Sequence, residues 1–148
     1  MRYTLLFSIL LIITSSCTKT KFSSTPSLKF KSVNTTQLPQ HALLQFTLSF
    51  TDAEGDFSDS GNIFVQKISA NCPNSNGDET YVLPVFPTTK DQKGEISVTL
   101  GNNAGSSYRD ISPQCPPQND TTVFRFVLKD DAGHISDTAS SPTIIIYN

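Results

Sequence analysis

The stretch TDAEGDFSD, residues 51–59, places four acids in nine residues: Asp52, Glu54, Asp56 and Asp59. Carboxylates on alternate positions around a glycine are hard oxygen donors. Such donors can wrap a calcium ion, which takes about six to eight oxygens at about 2.3–2.6 Å. A second acidic turn, KDDAGHISD (129–137), adds Asp130 and Asp131, with Asp137 at its far end. Asp52, Glu54, Asp56, Asp130 and Asp131 are therefore candidate ligands of a structural calcium. The spacing matches an EF-hand loop only in part, because Gly55 comes too early and no Glu follows at the twelfth position. The competing reading is a strand-ending turn, with Gly55 at positive φ and Asp side chains capping backbone N–H groups. Clustered carboxylates repel one another without a cation. The choice between the readings thus depends on whether the two turns meet.

Catalytic chemistry finds little support. The two histidines, His41 near Pro39 and His134 in the second acidic turn, have no nucleophile beside them. No G-x-S-x-G, H-E-x-x-H or phosphate-cradling glycine loop occurs. Paired carboxylates can cleave glycosides, but these acids belong to turns. The expectation is a protein that is not an enzyme.

Charge is unevenly spread. All 13 acidic residues fall between Asp52 and Asp137, while residues 1–51 carry five bases and no acid. Residues 52–148 hold six bases against those 13 acids, a net charge of −7. An acidic body does not suit nucleic acid, whose phosphates need a positive field. The lysines at 19, 21, 29 and 31 read as solvated linker charge, or as contacts to anionic lipid headgroups.

The N-terminus reads as an address. Arg2 is followed by a predominantly apolar run, Leu5 to Ile13, too short to span a bilayer as a helix. Thr14, Ser15, Ser16 and Cys17 then resemble a bacterial lipobox. On this reading residues 1–16 are a lipoprotein signal peptide and Cys17 carries acyl chains such as palmitate. Several chains on one residue give a stable anchor. Residues 17–27 form a tether rich in Ser, Thr and Lys. That leaves Cys72 and Cys115, which an exported protein is expected to pair. Their loop would enclose 42 residues. No His or third Cys is spaced near either to make a metal site.

The body, residues 28–148, shows period-two alternation. Leu44, Phe46, Leu48 and Phe50 face one way in LLQFTLSF, as do Ile96, Val98 and Leu100 in GEISVTL and Phe124, Phe126 and Leu128 in TVFRFVLKD. Shorter runs occupy 28–33, 62–69, 80–86 and 141–148. Pro84 marks an edge or bulged strand, and Pro142 the start or edge of the last one. Seven strands separated by turn residues predict an all-β, single seven-stranded antiparallel immunoglobulin-like β-sandwich. Alternating strand directions put the loops holding Cys72 and Cys115 at one end. They put both acidic turns, and the tether, at the other. The connection from Gly101 to Thr121 is long for a compact domain and asks for a staple. The chain has no Trp, so an immunoglobulin core disulfide packed on Trp is not expected.

Phe50-Thr51-Asp52-Ala53-Glu54-Gly55-Asp56-Phe57 resembles the F-x-D-x-D-G-D-φ turn (φ apolar) of small Bacteroidetes lipoproteins. Asn62 to Val65, Lys93 to Val98 and Phe124 to Ser136 resemble the strands and turns that follow it there. The D-x-A-G-x-x-S turn is also similar to those of bacterial immunoglobulin-like and cadherin-like modules. The resemblance covers residues 42–147 and departs at Ala53 and Glu54. It implies an envelope lipoprotein without implying an activity. Surface export in such proteins follows an acidic run after the Cys, whereas Thr18 and Lys19 stand here. The resemblance therefore favours the periplasmic face of the outer membrane. The functional expectation is a lipid-anchored binding module for a glycan, a peptide or an envelope protein, with Tyr81 and Tyr108 as candidate contacts. The alternative is a spacer or complex subunit without its own ligand.

Overall fold

The computed structural model describes residues 22–57 and 61–148; the expected signal peptide (residues 1–16), Cys17 and Asp59 lie outside the described residues. The first sheet has the order β1-β3-β6-β7: β1 (Ser27–Val33), β3 (Ala42–Asp52), β6 (Gln92–Asn102) and β7 (Arg109–Asp110). The second has the order β2-β10-β8-β4-β5: β2 (Gln37–Leu38), β10 (Ile144–Ile146), β8 (Asp120–Lys129), β4 (Asn62–Ser69) and β5 (Gly77–Val82). A further strand, β9 (Ala139–Ser140), pairs with β8.

Alternation decides what each strand buries. Leu44, Phe46, Leu48 and Phe50 of β3 are buried, as are Phe124, Phe126 and Leu128 of β8. These two faces meet, and the sheets form a β-sandwich. Phe46 stands at the junction, its ring centroid 4.9 Å from that of Phe124 and 5.0 Å from that of Phe126. Tilted and edge-on aromatic pairs at this spacing add stability beyond the area they bury. Leu38, Ile63, Val65, Val98, Leu100, Ile144 and Ile146 complete the core.

The expected seven strands correspond to β1, β3, β4, β5, β6, β8 and β10, and these pair antiparallel. The expectation of seven strands and of antiparallel pairing alone needs correction. Three two-residue strands are added, and two of them make parallel pairs, β2 with β10 and β7 with β6. Each parallel piece comes from a connection that crosses back along the sandwich rather than turning at its end. β2 lies in the chain running from β1 to β3, where it buries Leu38 fully. β7 divides the long connection after β6. The run at 80–86 is displaced as well: β5 ends at Val82, before Pro84, which has no N–H for a ladder. Pro142 likewise splits the last run, leaving β9 before it and β10 after it.

Candidate functional site

The two acidic turns meet. Asp52, the last residue of β3, is fully buried. Its Oδ2 accepts the N–H groups of Glu54 at 3.1 Å and Gly55 at 2.5 Å, which closes the turn. Gly55 has φ +67°, and a Cβ there would lie 2.1 Å from the Thr89 carbonyl oxygen. Only glycine fits that bend. The turn is held by its neighbours: Asp91 donates its N–H to the Ala53 carbonyl, and the Ala53 N–H reaches the Ser23 carbonyl at 3.1 Å. The chain leading into β1 therefore lies against the acidic turn.

The second turn follows β8. Asp130 is buried, its Oδ1 accepting the His134 N–H at 2.7 Å and its Oδ2 lying 2.9 Å from His134 Nδ1. Gly133, at φ +91°, lets the chain double back. The turns are joined by Asp56, whose carbonyl accepts the Asp131 N–H at 2.8 Å and whose Oδ2 accepts the Ala132 N–H at 3.2 Å. One carboxylate oxygen from each of Asp52, Asp56 and Asp130 lies within 4.8 Å of the others. Asp52 Oδ1 and Asp56 Oδ1 are buried and have no hydrogen-bond partner among the described residues.

The electrostatics follow from this crowding. Burial pushes the Asp52 carboxyl above its ordinary value; the Gly55 N–H opposes the shift and the Asp56 charge adds to it. The hydrogen bond to Asp130, then the Asp130 charge, holds the His134 imidazole above its ordinary value. Of the other candidate ligands, Glu54 sits at the rim, half-exposed, its Oε2 4.0 Å from His134 Nδ1. Asp131 enters through its backbone N–H and stands outside the three-carboxylate group.

The opposite end carries the Cys72–Cys115 disulfide, with Cα atoms 5.8 Å apart. Sequence reasoning missed its companion. Lys67, on the inner face of β4, is buried with its Nζ 2.6 Å from Asp120 Oδ2 and 3.1 Å from the Ile111 carbonyl. Asp120 Oδ1 accepts the Ser69 hydroxyl, and the Ser69 oxygen accepts the Cys72 N–H at 2.7 Å. The signal was a lysine two residues after Val65, in the buried phase of the alternation.

The aromatic candidates separate. Tyr81 packs on the core, while Tyr108 is exposed. His41 is exposed and its Nδ1 lies 2.9 Å from the Asn103 carbonyl. The other feature the sequence did not single out is a shallow groove beside the end of β5. It has a volume of about 380 Å³; Phe50, Leu83, Pro84, Phe86 and Ile96 give it a mainly apolar lining, with Gln92, Lys93, Glu95 and Ser97 along its β6 side. Next to it Val82 and Val85 are 69% and 81% exposed.

No protein-family model matches the chain, and no curated protein matches it in sequence. Solved structures do. A PKD domain of an M14-like peptidase from a Thermoplasmatales archaeon is 15% identical, covering 84% of this chain and 94% of that one at a TM-score of 0.39. The sensor domain of the anti-sigma factor RsgI4 of Pseudobacteroides cellulosolvens is 15% identical, covering 82% and 96%, at 0.39. A Niemann-Pick type C2 protein from the Japanese carpenter ant is 10% identical, covering 85% and 97%, at 0.43. None of the three scores reaches 0.5, and the β-sandwich stands on its own strand pairing.

Proposed function

We propose that this is a cell-envelope lipoprotein, anchored through Cys17 to the periplasmic face of the outer membrane, whose immunoglobulin-like sandwich is a protein-interaction module. The leader pattern supports the anchor. The observation that carries the interaction reading is the outer edge of β5, which pairs with no other strand among the described residues and leads into the apolar segment Val82–Phe86, where Val82 and Val85 are exposed. A strand edge with unpaired N–H and C=O groups beside an apolar groove suits an extended segment of a partner protein, with the edge supplying hydrogen bonds and the groove accepting side chains. A glycan would call for an aromatic platform. Tyr81 packs against the core, and Tyr108 stands exposed on the connection into β7.

The test is capture from detergent-solubilised outer membrane, run beside a glycan array. The wild-type protein is expected to retain one envelope protein that Val85→Asp does not retain. Glycan binding without such capture would overturn the protein-partner reading. Failure of both assays would leave the spacer alternative in its place.

A further inference from the structure

We propose that Asp52, Asp56 and Asp130 form a calcium site that ties the two acidic turns together. The proposal stands apart from the interaction reading, since it uses none of the groove residues. Turn capping accounts for only part of the carboxylate chemistry. Asp52 spends Oδ2 on the Glu54 and Gly55 N–H groups, and Asp56 spends Oδ2 on the Ala132 N–H. That leaves Oδ1 of each buried and without a donor among the described residues. Buried polar atoms are nearly always paired, and a buried carboxylate oxygen is costly to leave otherwise. Asp52 is 0% exposed, so bulk water does not serve it.

The third carboxylate completes the case. Asp130 is engaged with His134 through both oxygens, yet each carboxylate oxygen has a second lone pair to offer. One oxygen from each of the three acids falls within a 4.8 Å span. Two oxygens on opposite sides of one calcium ion stand about 4.6–5.2 Å apart, so the three fit a single ion of that size. The donors are all hard oxygens and belong to turns, which suits the variable coordination of calcium better than the strict octahedron of magnesium. The His134 imidazole is the basic group that pairs with the cluster among the described residues, and its Nδ1 is directed at Asp130 rather than at the two orphaned oxygens. The half-exposed Asp56 and Glu54 leave a route in from solvent.

Purified protein, stripped with chelator, is titrated with calcium chloride and separately with magnesium chloride. Calorimetry and thermal melting read the result. One calcium is expected to bind with Kd of about 0.1–1 mM, the range of extracellular calcium modules, and to raise the melting temperature. In Asp52→Asn/Asp56→Asn the calcium response is expected to vanish. The stripped variant should melt above the stripped wild type, because repulsion is relieved while an amide oxygen can still cap the turn. A merely structural role for the acids predicts the reverse order of melting. The Val85→Asp protein should bind calcium as wild type does, and Asp56→Asn alone serves if the double variant does not fold. No calcium-dependent heat or melting shift at about 10 mM, ten times the weakest expected Kd, would overturn the site. Equal or tighter magnesium binding would overturn its assignment to calcium.

Discussion

Lys67 and Asp120 form a buried ion pair at the disulfide end of the sandwich, 2.6 Å between Nζ and Oδ2. Two charges taken out of water give back little net stability when well paired, but removing one partner strands the other. Lys67→Met keeps the packed aliphatic stem and strands Asp120, so it is expected to cost about 3–5 kcal/mol in denaturant unfolding. A loss below about 1 kcal/mol, the worth of a surface pair, would mean that water reaches Asp120. At this scale legibility was uneven. That the two acidic turns share one end follows from counting strand directions, because each closes or follows a strand whose orientation alternation fixes; their meeting at Asp52, Asp56 and Asp130 needed the structure. The Lys67–Asp120 pair was hidden: its members are 53 positions apart, and a lysine in a core phase looks like a break in the pattern. The orphaned Oδ1 atoms were equally hidden, since no spacing in sequence says which lone pairs a turn will use.

The β-strands and their connections carry the next level. The disulfide ties the loop between β4 and β5 to the loop between β7 and β8, with a sequence separation of 43. It also supports a small polar framework: Ser75 Oγ accepts the Gln114 N–H at 2.8 Å and donates to Cys72 Sγ. Chain-entropy arguments give such a loop about 3–4 kcal/mol. Cys72→Ala/Cys115→Ala is therefore expected to lower unfolding stability by that amount, and reduction of the wild type to have the same effect. An unchanged denaturation midpoint would show that the framework holds without the bond. The long strands were readable because Leu44 to Phe50 and Phe124 to Leu128 each bury one face only. The short strands were not. β2, β7 and β9 are two residues each, too short to show a period, and their pairing is set by where the crossing connections lie. Proline was informative: Pro84 does mark an edge strand, β5, although it stands just past its end, and Pro142 sits between two short strands.

As a whole, the molecule has two unlike ends and one open side. The acidic end holds the chain that leads into β1, through the Ser23 carbonyl and the Ala53 N–H. The far end is stapled by the disulfide and its polar framework. Between them β5 closes the second sheet without a neighbour on its outer edge, and Val82 and Val85 stand exposed beside the groove. An open edge with apolar side chains is an aggregation hazard unless something covers it, and the proposed partner would cover it. The most direct measurement is photo-crosslinking in intact cells that make the protein, with a benzophenone side chain at position 85 and, as control, at position 29 on the exposed edge of β1. The account predicts one discrete crosslinked envelope protein from position 85 and none from position 29. A crosslink from position 29 with silence at position 85 would contradict it.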